Sequence, residues 1–292
     1  MSSTPHDIIP DDWHCWSDTK PSVIKKLAGG LTNQSYLIAT PVDQLVLRRN
    51  SGISDALDLN RRAEANTLRL ADEAGLCAPV IHCDTQCEYL VTRYIEGTNW
   101  RNEGCGSLKS LAALLRGIHR LPAINARLVV EEKIEKYWQS IDSRAEFYSV
   151  LHSLDHAIEQ HLRKARALGE GESLCHNDLS AGNLILASTG QLYAIDWEYA
   201  AMGDSFYELA VITEEYGLVE RQQERLLEEY LQRPLVLTDW QRLEHWRVIY
   251  GYLSVLWYAV QFSTESTRSP GLQRKIVNRA VQLSTLSAGV RR

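Results

Sequence analysis

Residues 174–210, LCHNDLSAGNLILASTGQLYAIDWEYAAMGDSFYELA, form the most informative segment of the chain. It begins with His176 and Asp178, separated by one residue, and Asn183 follows Asp178 after four more residues. A second aspartate, Asp196, stands at the end of an apolar run further along. The stretch therefore carries three polar positions, Asp178, Asn183 and Asp196, in two halves.

A β-hairpin is predicted between the two halves. The short apolar segments 184–186 and 192–195 lie on either side of the turn-forming triplet Ser188-Thr189-Gly190. Two such runs separated by a glycine-containing turn are typical of two paired strands. The hairpin would bring Asn183, before its first strand, and Asp196, after its second, to the same edge.

These three residue types suit phosphoryl transfer. That chemistry needs a carboxylate that receives the proton of the attacking hydroxyl and oxygen ligands for the Mg²⁺ on the phosphates. Asp178 suits the first role, while Asn183 and Asp196 suit the second because Mg²⁺ prefers hard oxygen donors. A His-x-Asp triplet alone would carry no information, but the order of all three, with a hairpin between, matches the catalytic loop of protein kinases.

The first third of the chain supplies the pieces of a nucleotide site. Gly29, Gly30, Thr32 and Asn33 lie between two strand-like segments, where a turn could bring backbone N–H groups close to phosphates. Arg48 ends the apolar segment 45–48. A helix is predicted over 58–74 with Gly75 as its stop, and it carries Glu64, the natural partner for the Arg48 cation.

Taken together, these motifs resemble the aminoglycoside, choline and thiamine kinase superfamily of small-molecule kinases, over roughly residues 27–262. The resemblance implies an α+β, bilobal, protein-kinase-like fold, with an antiparallel-sheet lobe over 1–95 and a larger, mainly helical lobe over 96–292. It also implies ATP and Mg²⁺ as cofactors. The implied site residues are the catalytic base Asp178, the metal ligands Asn183 and Asp196, the phosphate-contacting Arg48 held by Glu64, the glycine-loop residues Gly29, Gly30, Thr32 and Asn33, and Tyr94 in a connector that contacts the adenine.

The chain departs from the protein kinases of the same fold in two ways. It lacks the full G-x-G-x-x-G loop, and its strand cation is Arg48 where those enzymes have a lysine; choline-type kinases often have arginine there. A protein kinase also needs a long activation segment that ends in Ala-Pro-Glu. Here a helix-like segment follows Asp196 within ten residues. We therefore reject a peptide substrate.

The acceptor is predicted to be a small, cationic alcohol. Local likenesses at 137–139 and 162–166 favour a thiamine kinase, with choline and ethanolamine close behind. Trp246, Tyr250 and Trp257 recur at helical spacing and could cover a quaternary nitrogen, although such a stripe is also typical of a core. The candidate substrate contacts are Trp257 and the carboxylates Glu198 and Asp204, with Glu208 as a further acidic candidate. Asp204 could equally cap a helix that starts at Ser205, and the acidic run 214–224 reads as a solvated face.

Composition excludes other classes of protein. The formal net charge of −6 argues against a nucleic-acid partner. The most apolar run, 253–262, is too short to span a bilayer, and the polar first ten residues lack a secretory pattern. We therefore expect a cytoplasmic protein with reduced thiols, no membrane or nucleic-acid partner and an undetermined oligomeric state. An aminoglycoside kinase and a non-catalytic nucleotide-binding regulator remain as alternatives.

Overall fold

Alternating apolar residues in the first third of the chain form a five-stranded antiparallel sheet in which the fifth strand lies between the third and the fourth. The computed structural model describes residues 8–28, 33–50, 59–101, 105–264 and 269–290. The strands are β1 (Ser22–Lys26), β2 (Gln34–Ala39), β3 (Gln44–Arg49), β4 (Val80–Cys83) and β5 (Tyr89–Arg93). Buried side chains on one face of the sheet, among them Ile38, Leu47 and Val91, form a small core of their own.

Helix α1 (Arg61–Glu73) lies between β3 and β4 in the chain. It begins where the side chain of Asn60 accepts a hydrogen bond from the backbone N–H of Ala63. It ends before Gly75, whose φ of +67° favours glycine, as the sequence predicted. The predicted start of this helix at residue 58 lies outside the described residues.

Two small sheets frame the central motif. The hairpin of β8 (Leu184–Ala187) and β9 (Leu192–Ala194) is present as predicted, and β6 (Gly97–Asn99) adds a third strand to it. Strands β7 (Ser173–Cys175) and β10 (Ala201–Gly203) pair with each other. The loop from β7 to β8 therefore carries Asp178 and Asn183, and the segment after β9 carries Asp196.

The remainder of the described chain is mainly helical. Residues 131–168 are divided among three helices, because extended backbone at Ile141 ends the first of them and the following turn places Phe147 in the core. The helices are α2 (Cys105–His119), α3 (Val130–Ser140), α4 (Tyr148–His152), α5 (Asp155–Ala167), α6 (Ser205–Glu215), α7 (Glu220–Leu231), α8 (Leu237–Thr264) and α9 (Pro270–Ala288).

Helix α8 is the centre of the helical part. It packs against α3, α5, α6 and α9, and side chains such as Tyr252, Leu256 and Ala259 are completely buried along it. Burial of each large apolar side chain contributes about 1.5–3 kcal/mol relative to leaving it exposed. No helix within the described ranges combines the length and apolarity needed to cross a bilayer.

The predicted fold class is confirmed, since an antiparallel sheet precedes a mainly helical region. All five strands of the large sheet, together with α1, lie before residue 95. The exact division into lobes at 95 and 96 stays a prediction.

Candidate active site

His176 braces the loop between β7 and β8. Its side chain is completely buried, and Nε2 donates a hydrogen bond of 3.0 Å to the carbonyl oxygen of Ile195. Its Nδ1 accepts a bond of 3.3 Å from the backbone N–H of Asp178, so the ring is neutral. Burial also lowers the pKa of His176, which favours the same form. The residue thus connects the two halves of the motif and acts as a structural brace.

Next to it, Asn177 has a φ of +65°, a left-handed conformation that non-glycine residues rarely adopt. Its backbone N–H donates a hydrogen bond of 2.8 Å to Oε1 of Glu208, and its amide donates one of 3.0 Å to the carbonyl of Tyr199. Glu208 is completely buried and also accepts a 2.6 Å bond from Nε2 of His119, whose Nδ1 lies 2.7 Å from the hydroxyl of Tyr230. Glu208 therefore holds the loop in place through the backbone of Asn177. Glu208 does not line the cavity described below, which does not support its predicted contact with the substrate.

The structure brings Asp178 and Asn183 into direct contact. The amide Nδ2 of Asn183 donates hydrogen bonds of 2.8 Å to the carboxylate and 2.8 Å to the backbone carbonyl of Asp178. Burial raises the pKa of Asp178 well above its usual range, and the negative charges of Asp196, Glu198 and Glu215 raise it further. A carboxylate with a raised pKa is a stronger base.

Asp196 lies on the other side of the same cleft, with a φ of +62°. Its Oδ1 accepts a 2.6 Å hydrogen bond from Nη1 of Arg48, and the same nitrogen lies 2.6 Å from Oε1 of Glu64. Burial alone would lower the pKa of Arg48, but Glu64 and Asp196 raise it, so this side chain stays a cation. The predicted pair of Arg48 and Glu64 is therefore formed, and it extends to Asp196.

The side chains of Asn183 and Asp196 fit a divalent cation. Both line one cavity with Asp178. Nδ2 of Asn183 is engaged by Asp178, so the carbonyl oxygen Oδ1 is the atom that this side chain offers to a metal. Asp196 offers carboxylate oxygens. Hard oxygen donors of this kind are those that Mg²⁺ prefers.

A second network crosses between the sheet and the motif. Asn33 Nδ2 donates a 2.7 Å hydrogen bond to Glu198, and Arg61 donates to Glu198 at 2.8 Å, to Asn33 at 3.0 Å and to Glu64 at 3.0 Å. Sequence reasoning missed Arg61, although its position three residues before Glu64 on one helix predicts a local ion pair. Glu198 is 5% exposed, and Arg61 and Asn33 both donate hydrogen bonds to its Oε2. Burial raises the pKa of Glu198, as does the charge of Asp196.

The structure describes only some of the residues predicted to contact the nucleotide. Gly29, Gly30 and Thr32 lie outside the described residues. Tyr94 lies in the connector between β5 and β6, half-buried, with its backbone N–H donating a 3.0 Å hydrogen bond to the carbonyl of Gln44. Its contact with adenine stays a prediction.

A cavity of about 300 Å³, here called the first cavity, opens beside Asp178. Its acidic lining side chains are Asp178, Asp196, Glu198 and Glu215, and its aromatic ones are Tyr137, Tyr199, Tyr207, Tyr250, Trp257 and Tyr258. Trp257 donates a 2.9 Å hydrogen bond to the hydroxyl of Tyr199, and Tyr250 donates one of 2.6 Å to Glu215. The reading of 214–224 as a solvated face was therefore wrong at Glu215, because helix α6 ends with this residue turned towards α8.

Two other substrate candidates have different places. Asp204 caps α6 by accepting a 2.9 Å bond from the backbone N–H of Phe206, and it pairs with Arg242 at 2.7 Å. Asp204 does not line the first cavity. Of the two predicted roles, substrate contact and helix cap, the structure therefore shows the helix cap. Trp246 is 5% exposed and packs against Tyr207 in the core. The aromatic stripe of α8 is thus core at Trp246 and cavity wall at Tyr250 and Trp257.

Comparison with known proteins identifies a phosphotransferase family and two similar proteins. The profile of the phosphotransferase enzyme family (APH) matches residues 23–246. Protein LicA of Haemophilus influenzae is 28% identical over 211 residues, which cover 69% of this chain but only 61% of LicA. Thiamine kinase of Escherichia coli K12 is 29% identical over 221 residues, covering 74% of this chain and 75% of that enzyme.

A solved structure shares the fold over nearly the whole chain. The crystal structure of choline kinase LicA from Streptococcus pneumoniae superposes with a TM-score of 0.77 at 25% identity, and the match covers 90% of this chain and 94% of that one. Because the family profile spans most of the described sequence, including the catalytic loop and Asp196, the predicted family and enzyme class are confirmed. The chain belongs to the phosphotransferase enzyme family.

Proposed function

We propose that this protein transfers the γ-phosphoryl group of ATP to the hydroxyl of a small cationic alcohol in the cytoplasm, with thiamine favoured and choline or ethanolamine next. The observation that carries the proposal is the convergence of Asp178, Asn183 and Asp196 on one cavity that aromatic side chains also line. Relatives named thiamine kinase and choline kinase support this substrate class.

Asp178 would act as the general base. Its carboxylate would accept the hydroxyl proton while the alcohol oxygen forms a bond to the γ-phosphorus and ADP leaves. The raised pKa of Asp178 supports this role, and the 2.8 Å bond from Asn183 fixes the direction in which the carboxylate points.

Asn183 and Asp196 would hold Mg²⁺, which when bound supplies positive charge to the phosphates. Arg48 would be the protein cation on the phosphates, positioned by Glu64 at 2.6 Å. The glycine-containing segment with Gly29, Gly30, Thr32 and Asn33, together with Tyr94, would complete the nucleotide site.

The cation of the substrate would lie between Glu215 and the rings of Tyr250 and Trp257. A cation over an aromatic face gains about 0.5–2 kcal/mol, and a half-buried carboxylate adds Coulombic attraction. Trp257 keeps its orientation through its bond to Tyr199, so the wall is preformed. An aminoglycoside polycation would need a wide acidic site, whereas the first cavity holds about 300 Å³.

A screen of alcohols tests the proposal. ADP release is measured with Mg²⁺-ATP and thiamine, choline, ethanolamine, homoserine, methylthioribose or kanamycin, with the Asp178→Asn variant as the matched inactive control. We expect stimulation of ADP release by thiamine, choline or ethanolamine and none in the control. Stimulation by kanamycin alone would favour the aminoglycoside alternative. Binding of ATP without transfer to any alcohol would favour a non-catalytic regulator.

A further inference from the structure

Helix α3 places a positive charge inside the wall of the first cavity. Lys133 is only 8% exposed, and its Nζ lies 5.3 Å from the ring centre of Tyr137 and 5.1 Å from that of Tyr199. Both distances are within the range of cation–π attraction. Neither the catalytic motif nor the nucleotide site accounts for this residue.

The two rings are rigidly placed. Tyr137 is one turn further along α3 and is 2% exposed. Tyr199 is held at both ends, since its hydroxyl accepts a 2.9 Å bond from Trp257 and its backbone carbonyl accepts one of 3.0 Å from Asn177. The ammonium group of Lys133 is therefore a fixed feature of the wall.

Lys133 also lies where the first cavity meets a second one. The second cavity, of about 650 Å³, is lined by residues of 59–62, 85–87 and 126–129 and shares Lys133, Asn177, Glu198, Tyr199 and Tyr207 with the first. Glu215, Tyr250 and Trp257 line the first cavity but not the second. Lys133 thus lies in the part of the wall that the two cavities share.

This position separates two kinds of substrate group. The Tyr137 and Tyr199 faces already carry a cation, and Lys275 and Arg279 lie over Tyr258. Glu215 instead supplies a carboxylate beside Tyr250, so a permanent cation belongs there. An ammonium group donates hydrogen bonds and accepts none. A substrate group in contact with the Lys133 ammonium would therefore act as a hydrogen-bond acceptor.

We propose that Lys133 is a specificity-determining residue that selects alcohols carrying, besides the reacting hydroxyl, a hydrogen-bond acceptor such as a nitrogen-containing aromatic ring. This inference rests on the proposed function. It distinguishes cationic alcohols with a heteroaromatic ring, of which thiamine is one, from those that carry only methyl groups or hydrocarbon.

A matched pair of substrates tests it. Thiamine and 3-benzyl-5-(2-hydroxyethyl)-4-methylthiazolium share the hydroxyl and the cationic ring, but the benzyl group has no acceptor. We expect the wild-type kcat/KM to favour thiamine by about tenfold or more, the size of one hydrogen bond to a charged donor. In Lys133→Met the preference should fall to within about threefold. Lys136→Met, the same change on the same helix but outside the residues lining either cavity, should keep the wild-type preference.

The possible outcomes distinguish the role of Lys133 from the proposed kinase activity. Turnover of both thiazolium alcohols with equal efficiency, or of choline alone, overturns the role of Lys133 and leaves the kinase proposal intact. A tenfold preference that survives in Lys133→Met also overturns it. Absence of turnover with every alcohol tested would contradict the proposed function itself. Thermal unfolding checks each variant; if Lys133→Met does not fold, Lys133→Gln replaces it, and the wild-type substrate pair can be compared without any variant.

Discussion

Arg48 donates a hydrogen bond of 2.6 Å to Asp196, which lies 148 positions further along the chain. The contact joins the end of strand β3 to the residues that follow β9, so a cation of the large sheet directly meets a predicted metal ligand. Glu64 lies 2.6 Å from the same nitrogen and shares the charge. An ion pair thus links the sheet directly to the catalytic motif.

Arg48→Ala should destabilise the protein as well as weaken nucleotide binding. Removing one partner from a buried ion pair leaves uncompensated charge, here on Glu64 and Asp196, and typically costs about 3–5 kcal/mol. Arg48→Lys keeps the charge and should lose less. Urea unfolding and calorimetric titration with ATP measure the two effects. Unchanged stability in Arg48→Ala would show that the contact contributes nothing to folding.

Asp178→Asn should abolish turnover and leave ATP binding within a few-fold. The substitution keeps the shape of the side chain but removes the basic carboxylate, and general-base catalysis contributes about 10²–10⁴-fold. Single-turnover rates and calorimetry provide the comparison. Retention of a tenth or more of the wild-type rate would remove Asp178 from the role of base.

Asp196→Ala should remove the dependence of nucleotide affinity on Mg²⁺. Wild-type protein is expected to bind ATP more tightly with Mg²⁺ than with a chelator, because a carboxylate is a strong ligand for this ion. In the variant the two affinities should converge. If the Mg²⁺ effect persists at full size, Asp196 is not a metal ligand.

Glu208→Ala should lower kcat more than it raises KM. Glu208 touches neither cavity, but it accepts the backbone N–H of Asn177, which has the left-handed φ of +65° directly before Asp178. Loss of this acceptor should loosen the loop and reduce kcat by about 10–100-fold, since a misplaced catalytic group can cost about 10² in rate. Steady-state kinetics give kcat and KM separately, and thermal unfolding shows whether the variant folds. An increase in KM with unchanged kcat would contradict a positioning role.

Acid should destabilise the protein through a buried histidine pair. Nδ1 of His161 lies 2.9 Å from Nδ1 of His245, so one ring donates and the other accepts. Burial lowers the pKa of His245 to about 4 and lowers that of His161, with nearby Lys164 adding repulsion. The unfolded chain therefore binds protons first, and stability should be complete above about pH 6.5 and fall as the pH drops towards 4.

Replacement of His245 tests the predicted direction of the pH dependence of stability. His245→Gln should flatten the pH dependence of the melting temperature between pH 6.5 and 4, because the group that resists protonation is gone. His156→Gln is the matched control, since the side chain of His156 lies on the same helix as His161 but is 77% exposed. Equal pH profiles for wild type and His245→Gln would show that the pair does not control acid stability.

Local patterns predicted the parts of the fold that depend on neighbours in sequence. The hairpin after Asn183, the end of helix α1 at Gly75 and the helix that begins at Ser205 follow from turn chemistry, glycine conformation and capping. The division of 131–168 into three helices was not predicted; the turn between α3 and α4 places Phe147 in the core, which is a tertiary effect. Helical spacing alone could not separate core from cavity at Trp246 and Trp257.

The order of Asp178, Asn183 and Asp196, with a hairpin between the last two, could be read from the sequence because the turn that pairs the two strands is local. The surroundings of these residues were set by packing between distant parts of the chain. Asn33 meets Glu198 across 165 positions, Glu208 turns inward to hold Asn177, and Glu215 and Lys133 enter the cavity from separate helices. Such contacts depend on how helices and sheets pack, since burial forces each charged group towards a partner that no local spacing encodes.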